Sequence, residues 1–87
     1  MIDYLHQDFR IGPEQTVEVK LDQQANVMLL DDIQYDNYRH GRQFTYFGGL
    51  VKQSPVHLSP SHIGHWHLVI DLGGARGTLR HSIRLLG

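Results

Sequence analysis

The segment HIGHWHLVID, residues 62–71, holds three histidines and a tryptophan within its first six positions. In an extended strand, His65 and His67 lie two positions apart, so both imidazoles point from the same face of the sheet. Two imidazoles at this spacing can bind one zinc ion, although a catalytic site takes three protein ligands and a structural site four. The segment could therefore be a metal site. It could also be a strand with an imidazole-rich polar face.

We favour the strand, because no ligand beyond His65 and His67 is placed by its spacing in the sequence. The opposite, apolar face of that strand then consists of Trp66, Leu68 and Ile70. We accordingly predict no metal and no cofactor. The alternative that stays open is a metal-binding protein or metal-dependent enzyme in which His62 or His57 joins the pair.

A second cluster, YDNYRHGRQFTYF at residues 35–47, mixes cations with aromatic rings. Arginine binds phosphate or carboxylate through paired hydrogen bonds, and aromatic faces stack on bases or sugars. Tyrosine and arginine are also enriched at protein interfaces. We therefore predict a ligand-binding or partner-binding surface formed by Tyr38, Arg39, His40, Arg42 and Tyr46. The alternative is a polar hairpin tip with tyrosines packing at the ends of the strands.

The sequence offers little for nucleophilic catalysis, since it has no cysteine and its serines lie in no nucleophile-elbow context. The segment GGARG, residues 73–77, opens a further predicted strand, whereas phosphate-binding loops lead into a helix. Adjacent Asp31 and Asp32 would point to opposite sides of an extended chain. We expect them to form a solvated strand end, and we expect Glu14 and Glu18 to be solvated too. We predict that the protein is not an enzyme.

Length and charge bound the class of protein. The 87 residues predict a single domain over residues 1–87, with a formal net charge of -1 when the histidines are neutral. This balance argues against nucleic acid as a partner. No apolar run approaches the roughly 20 residues that span a bilayer, and no signal peptide is visible at the start. We predict a cytoplasmic protein without a membrane partner.

Alternating apolar residues dominate the chain and predict strands. The strand segments are TVEVKLD, NVMLLDD, RQFTYFG, SPVHLS, HWHLVIDL and GTLRHSIRLL. In the last of these, we expect His81 to be buried among Leu79, Ile83 and Leu85. Glycine pairs such as Gly48–Gly49 and Gly73–Gly74 are predicted turns.

The stretch DDIQYDNYRHGR, residues 31–42, lacks clear periodicity, so we predict a loop there. Roughly six to eight short strands separated by turn residues are typical of an all-β sandwich or barrel. We predict a single small antiparallel β-sandwich, similar to a jelly roll.

Three segments, VEVKLDQQANVMLLDD, NYRHGRQFTYFGGLVKQSPVHL and GHWHLVIDLGG, resemble a small bacterial family classified as a domain of unknown function. The resemblance covers almost the whole chain. It implies a compact β-rich module that occurs alone or N-terminal to a Toll/interleukin-receptor (TIR) domain. It carries no established catalytic residues over to this chain.

Together these observations favour a non-enzymatic binding, sensory or adaptor module. It would recognise a ligand or a protein partner, or assemble with its own copies as a homo-oligomer. The metal-dependent alternative built on His65 and His67 stays open, and a nucleic-acid binder is the third and weakest hypothesis.

Overall fold

The computed structural model describes residues 4–71 and 80–87. Over these residues the chain forms seven strands and one helix. In order they are β1 Tyr4–Ile11, β2 Thr16–Leu21, β3 Ala25–Asp31, α1 Asp32–Arg39, β4 Phe47–Val51, β5 Val56–Leu58, β6 Gly64–Asp71 and β7 His81–Leu86. The predicted turns at Gly73–Gly74 and along GGARG lie outside the described residues.

The strands form two sheets. One sheet has four strands in the order β1-β6-β3-β4, and the other has three in the order β5-β2-β7. All neighbouring strands are antiparallel. The buried residues of both sheets pack together in one hydrophobic cluster. The predicted all-β sandwich is therefore confirmed.

The core between the sheets follows the alternation of the sequence. It contains Val17 and Val19 from β2, Val27 and Leu29 from β3, and Trp66, Leu68 and Ile70 from β6. The predicted inward face of β6 is thus confirmed. The opposite face of the four-stranded sheet is also covered, because α1 packs on it, and this explains why β3 reads as a continuous apolar run.

The loop predicted over residues 31–42 is wrong, because this stretch contains α1. Asp31 caps the helix, with its carboxylate accepting a hydrogen bond from the Gln34 backbone N–H at 2.8 Å. Tyr38 is buried against the outer face of the sheet, and Tyr35 packs beside it. The apolar contact of the helix with the sheet rests mainly on these two tyrosines, so the helical period was too weak to see in a mostly polar sequence.

The strand predicted at RQFTYFG is wrong for most of its length, since β4 begins only at Phe47. The turn predicted at Gly48–Gly49 is also wrong, because both glycines lie inside β4 and pair with Met28 and Val27. Both have positive φ, 119° at Gly48 and 138° at Gly49. Positive φ favours glycine at both positions, and Gly48 in addition lies too close to the Val27 carbonyl oxygen to leave room for a Cβ atom.

The burial predicted for His81 is wrong. It is the first residue of β7, which lies at an edge of the three-stranded sheet, and its side chain is exposed. Ile83 of the same strand does pack against the core. Leu79 lies outside the described residues.

The solvation expected for Glu18 is wrong as well, because this residue is only 7% exposed. β2 is the central strand of its sheet, so Glu18 lies between His57 of β5 and Arg84 of β7. Its carboxylate is 3.0 Å from His57 Nε2 and 3.0 Å from Arg84 Nε. These partners offset the cost of burying the charge. The hydrogen bond from His57 is the main reason why the pKa of Glu18 lies below its ordinary value of 4.5.

We expect Glu18→Gln to lower the free energy of unfolding at neutral pH. The size of this loss should decrease as the pH is lowered. A lowered carboxyl pKa stabilises the folded state above the ordinary value of 4.5, and this stabilisation is lost as the pH falls through the folded-state value. Urea unfolding at about pH 6 and about pH 3 tests this, with exposed Glu14→Gln as the control. A stability difference between wild type and Glu18→Gln that is equal at both pH values would contradict it.

Across the parts of the chain that the structure describes, no helix has the length and apolar character to cross a bilayer.

Candidate functional site

Five ionisable side chains meet on the outer face of the four-stranded sheet, beneath the start of α1. Strands β1 and β6 pair so that Asp8 lies opposite His67, and His6 lies two residues along the same face. His65 lies two residues from His67 on that face, and Asp32 approaches from the first turn of α1. We call these residues the His–Asp cluster: His6, Asp8, Asp32, His65 and His67.

One carboxylate oxygen joins the two histidines of β6. Asp32 Oδ1 lies 2.6 Å from His67 Nε2 and 2.7 Å from His65 Nδ1. The second nitrogen of each ring is held as well, since His65 Nε2 is 2.7 Å from Asp8 Oδ2 and His67 Nδ1 is 2.8 Å from His6 Nε2. Both imidazoles are therefore fixed at two points.

Tyr35 of α1 covers the buried side of the cluster. Its ring stacks on His67 at 4.2 Å and on His6 at 4.4 Å between centroids. The Arg39 guanidinium lies 5.7 Å from the same ring, within cation–π range. Burial, followed by the hydrogen bond with Tyr4, raises the pKa of Tyr35 to about 12. Tyr35 is therefore neutral at physiological pH.

The charges in the cluster are distributed unevenly. Hydrogen bonds to Asp8 and then to Asp32 raise the pKa of His65. The hydrogen bond from His65 lowers the pKa of Asp8, and the hydrogen bond from His67, followed by that from His65, lowers the pKa of Asp32. Burial, and then the nearby His67, lower the pKa of His6. The cluster thus favours an imidazolium at His65 between two carboxylates and a neutral ring at His6.

A separate cleft of about 170 Å³ opens at the rim of the sandwich, where β4 begins. We call it the rim cleft. Its polar and aromatic lining includes Gln34, Tyr46, Phe47, Ser61, His62 and Trp66. Trp66 is buried, whereas Tyr46 is 45% and Phe47 is 42% exposed. The cleft therefore presents aromatic rings and hydrogen-bonding groups together.

The family model described as Domain of unknown function (DUF1883) matches residues 2–87. The chain belongs to the DUF1883 family. The resemblance seen in the sequence is thereby confirmed at the level of a family of unknown function, and the match spans both the His–Asp cluster and the rim cleft. No curated protein and no solved structure matches the chain.

The DUF1883 fold separates the histidines that the sequence grouped together. His65 and His67 share the outer face of β6. The His62 ring instead lies tilted beside Trp66, with 4.9 Å between centroids, and the His62 carbonyl accepts the indole N–H at 3.0 Å. His57 binds Glu18 on the other sheet. The third group beside the β6 pair is instead Asp32, which the sequence alone had placed at a solvated strand end.

The residues of the predicted binding surface occupy different environments in this DUF1883 domain. Tyr38 is buried and donates a hydrogen bond to Asp71 at 2.8 Å, while Arg42 binds Asp36 at 2.7 Å. His40 forms the C-terminal cap of α1, and Arg39 lies over Tyr35. Only Tyr46 lines the rim cleft. Their role in binding stays a prediction.

Sequence reasoning missed His6, Asp8, Asp32 and Tyr35 as members of the site. They come from β1 and α1, far from β6 in sequence, and the pairing of Asp8 with His67 joins residues 59 positions apart. The alternating pattern of β6 predicts that its two histidines share one face of the strand. No local sequence pattern predicts which strand pairs with β6.

Proposed function

We propose that this DUF1883 domain is a binding module rather than an enzyme, and that it takes a compact ligand or a partner's side chain into the rim cleft. The observation that carries the proposal is the pair of exposed rings, Tyr46 and Phe47, beside a cleft that Trp66 lines. Ligand sites are typically concave and apolar, with a few polar groups that fix orientation.

The chemistry of the lining favours a ligand with a flat apolar face and a polar edge. Aromatic faces stack on rings or pack against apolar side chains. Gln34, Ser61 and His62 supply amide, hydroxyl and imidazole groups for hydrogen bonds. A cleft of about 170 Å³ suits one ring or one side chain rather than an extended polymer.

Support for a non-enzymatic role comes from the sequence, which has no cysteine nucleophile and no serine in a nucleophile-elbow context. We further propose a sensory or adaptor role in the bacterial cytoplasm, in which binding is passed to an effector such as a TIR domain or leads to self-assembly. This part of the proposal rests on the family resemblance.

The single tryptophan of the chain provides the test, because Trp66 lines the cleft and no other tryptophan contributes to the fluorescence. We expect at least one member of a panel of monosaccharides, nucleosides and free aromatic amino acids to change its fluorescence saturably. Tyr46→Ala should weaken that binding by about 30-fold, the loss expected for an aromatic anchor worth about 2 kcal/mol.

The matched control is Leu50→Ala, which removes an exposed apolar side chain of β4 that does not line the cleft. It should leave the affinity unchanged. Equal losses in Tyr46→Ala and Leu50→Ala, or no response of Trp66 to any probe in the panel, would contradict the proposal.

A further inference from the structure

We propose that Asp32, His65 and His67 bind one divalent transition-metal ion of the zinc class. Their donor atoms lie within 4.8 Å of one another. The site is distinct from the rim cleft, so its success or failure is independent of the function proposed above.

The donor set matches the preference of such ions. Imidazole nitrogen and carboxylate oxygen are common ligands of zinc, and three protein ligands with an open fourth position are the arrangement of catalytic zinc sites. Asp32 is 63% exposed and His65 is 33% exposed at the side chain, so solvent reaches the fourth position. His67 is 9% exposed and anchors the site to the sheet.

Binding an ion requires the three donor atoms to rearrange. Asp32 Oδ1 is 2.6–2.7 Å from the two nitrogens, whereas ligands about 2.0–2.1 Å from a tetrahedral ion lie about 3.3 Å apart. The donor atoms span up to 4.8 Å and must close to about 3.3 Å from one another around the ion. The Asp32 carboxylate must meanwhile move about 0.6 Å further from each nitrogen. It belongs to the first turn of α1, and the cap of the helix is formed by its neighbour Asp31, so this movement leaves the cap in place.

The orientation of the two imidazoles adds a second observation. His65 Nδ1 and His67 Nε2 both contact Asp32 Oδ1, and the remaining nitrogen of each ring is already held by another group. Asp8 holds His65 Nε2 at 2.7 Å, which reproduces the carboxylate–histidine–metal arrangement that orients ligands in metalloproteins. His6 holds His67 Nδ1 at 2.8 Å.

Tyr35 adds to this orientation, because its ring stacks on both His67 and His6 and prevents them from rotating. Two carboxylates, Asp8 and Asp32, face a bound dication within the cluster. Two cations lie near the cluster, Arg39 against the Tyr35 ring and Arg10, which pairs with His65 across the sheet. The two carboxylates of the cluster are the groups that would attract a cation.

The experiment is a calorimetric titration of the full, untagged chain with zinc chloride, repeated with cobalt(II) to record its visible spectrum. We expect one ion per chain and the intense absorption of tetrahedral cobalt. His65→Gln and Asp32→Asn each remove a direct ligand and should weaken zinc binding by more than about 100-fold. This exceeds the largest loss expected when a residue that only orients a ligand is replaced. Asp8→Asn, which removes a positioning residue, should weaken binding by about 10-fold to 100-fold and shift the cobalt spectrum.

The matched control is His57→Gln, which removes a histidine that pairs with a carboxylate on the other sheet. It should bind zinc like the wild type. Far-UV circular dichroism confirms that each variant is folded. The proposal is overturned if the wild type shows no saturable binding at millimolar zinc, if His57→Gln loses as much affinity as His65→Gln, or if His65→Gln and Asp32→Asn bind like the wild type. The first of these outcomes would leave the cluster as an ion-pair network.

Discussion

Gly48→Ala is expected to destabilise the domain by about 4 kcal/mol, of which about 2 kcal/mol comes from a side chain at positive φ and about 2 kcal/mol from overpacking. A Cβ atom at this position would lie 2.1 Å from the Val27 carbonyl oxygen, far inside van der Waals contact. The backbone of β3 or β4 must then move, and the pairing of these strands is disturbed. Urea unfolding followed by circular dichroism measures the loss.

Gly49→Ala separates the two contributions. Gly49 has a φ of 138°, but a Cβ atom there would meet no other atom within 4 Å. Its substitution should cost only the conformational strain, about 2 kcal/mol. Equal losses at the two glycines would show that the contact with the Val27 carbonyl does not matter.

Trp66→Ala is the second large effect, and we expect a loss of about 3–5 kcal/mol, the usual cost of truncating a buried tryptophan. Trp66 is 3% exposed and packs in the core between the sheets. Small domains have unfolding free energies at the lower end of about 5–15 kcal/mol, so this single change should remove most of the stability. Thermal unfolding followed by circular dichroism measures the loss of stability. This method does not depend on tryptophan fluorescence, which the variant lacks.

Trp66→Phe is the matched variant, because it keeps an aromatic ring but loses the hydrogen bond from the indole to the His62 carbonyl. Its cost should be less than half that of the alanine variant, with about 1 kcal/mol from the hydrogen bond. A phenylalanine variant as unstable as Trp66→Ala would mean that the shape of the indole, rather than apolar burial, holds this end of the core.

The fold class could be predicted from the sequence because the strands alternate strongly. Val17 and Val19, like Trp66 and Leu68, point inward as period two requires. The helix was missed because its apolar packing rests mainly on two tyrosines, and the sequence could not show the sheet surface that they contact. Glu18 was misjudged for a related reason: its polar face is covered by Arg84, a neighbour 66 positions away.

The candidate sites could likewise be predicted from the sequence only in part. The shared direction of His65 and His67 follows from their spacing within one strand. Their meeting with Asp32 depends on how α1 folds back over β6, and no local pattern contains that information. Tyr46 was singled out for its chemistry, whereas the cleft beside it exists only because β4 and the segment before β6 come together.

The strand order has a kinetic consequence. In the four-stranded sheet Tyr4 pairs with Asp71, and in the three-stranded sheet Thr16 pairs with Leu86. Each sheet must close a long loop before its pairings can compensate for the lost chain entropy. Folding dominated by such non-local contacts is slow, on the order of milliseconds to seconds. During synthesis β2 can pair with β5 first, but its other edge stays unpaired until β7 has left the ribosome.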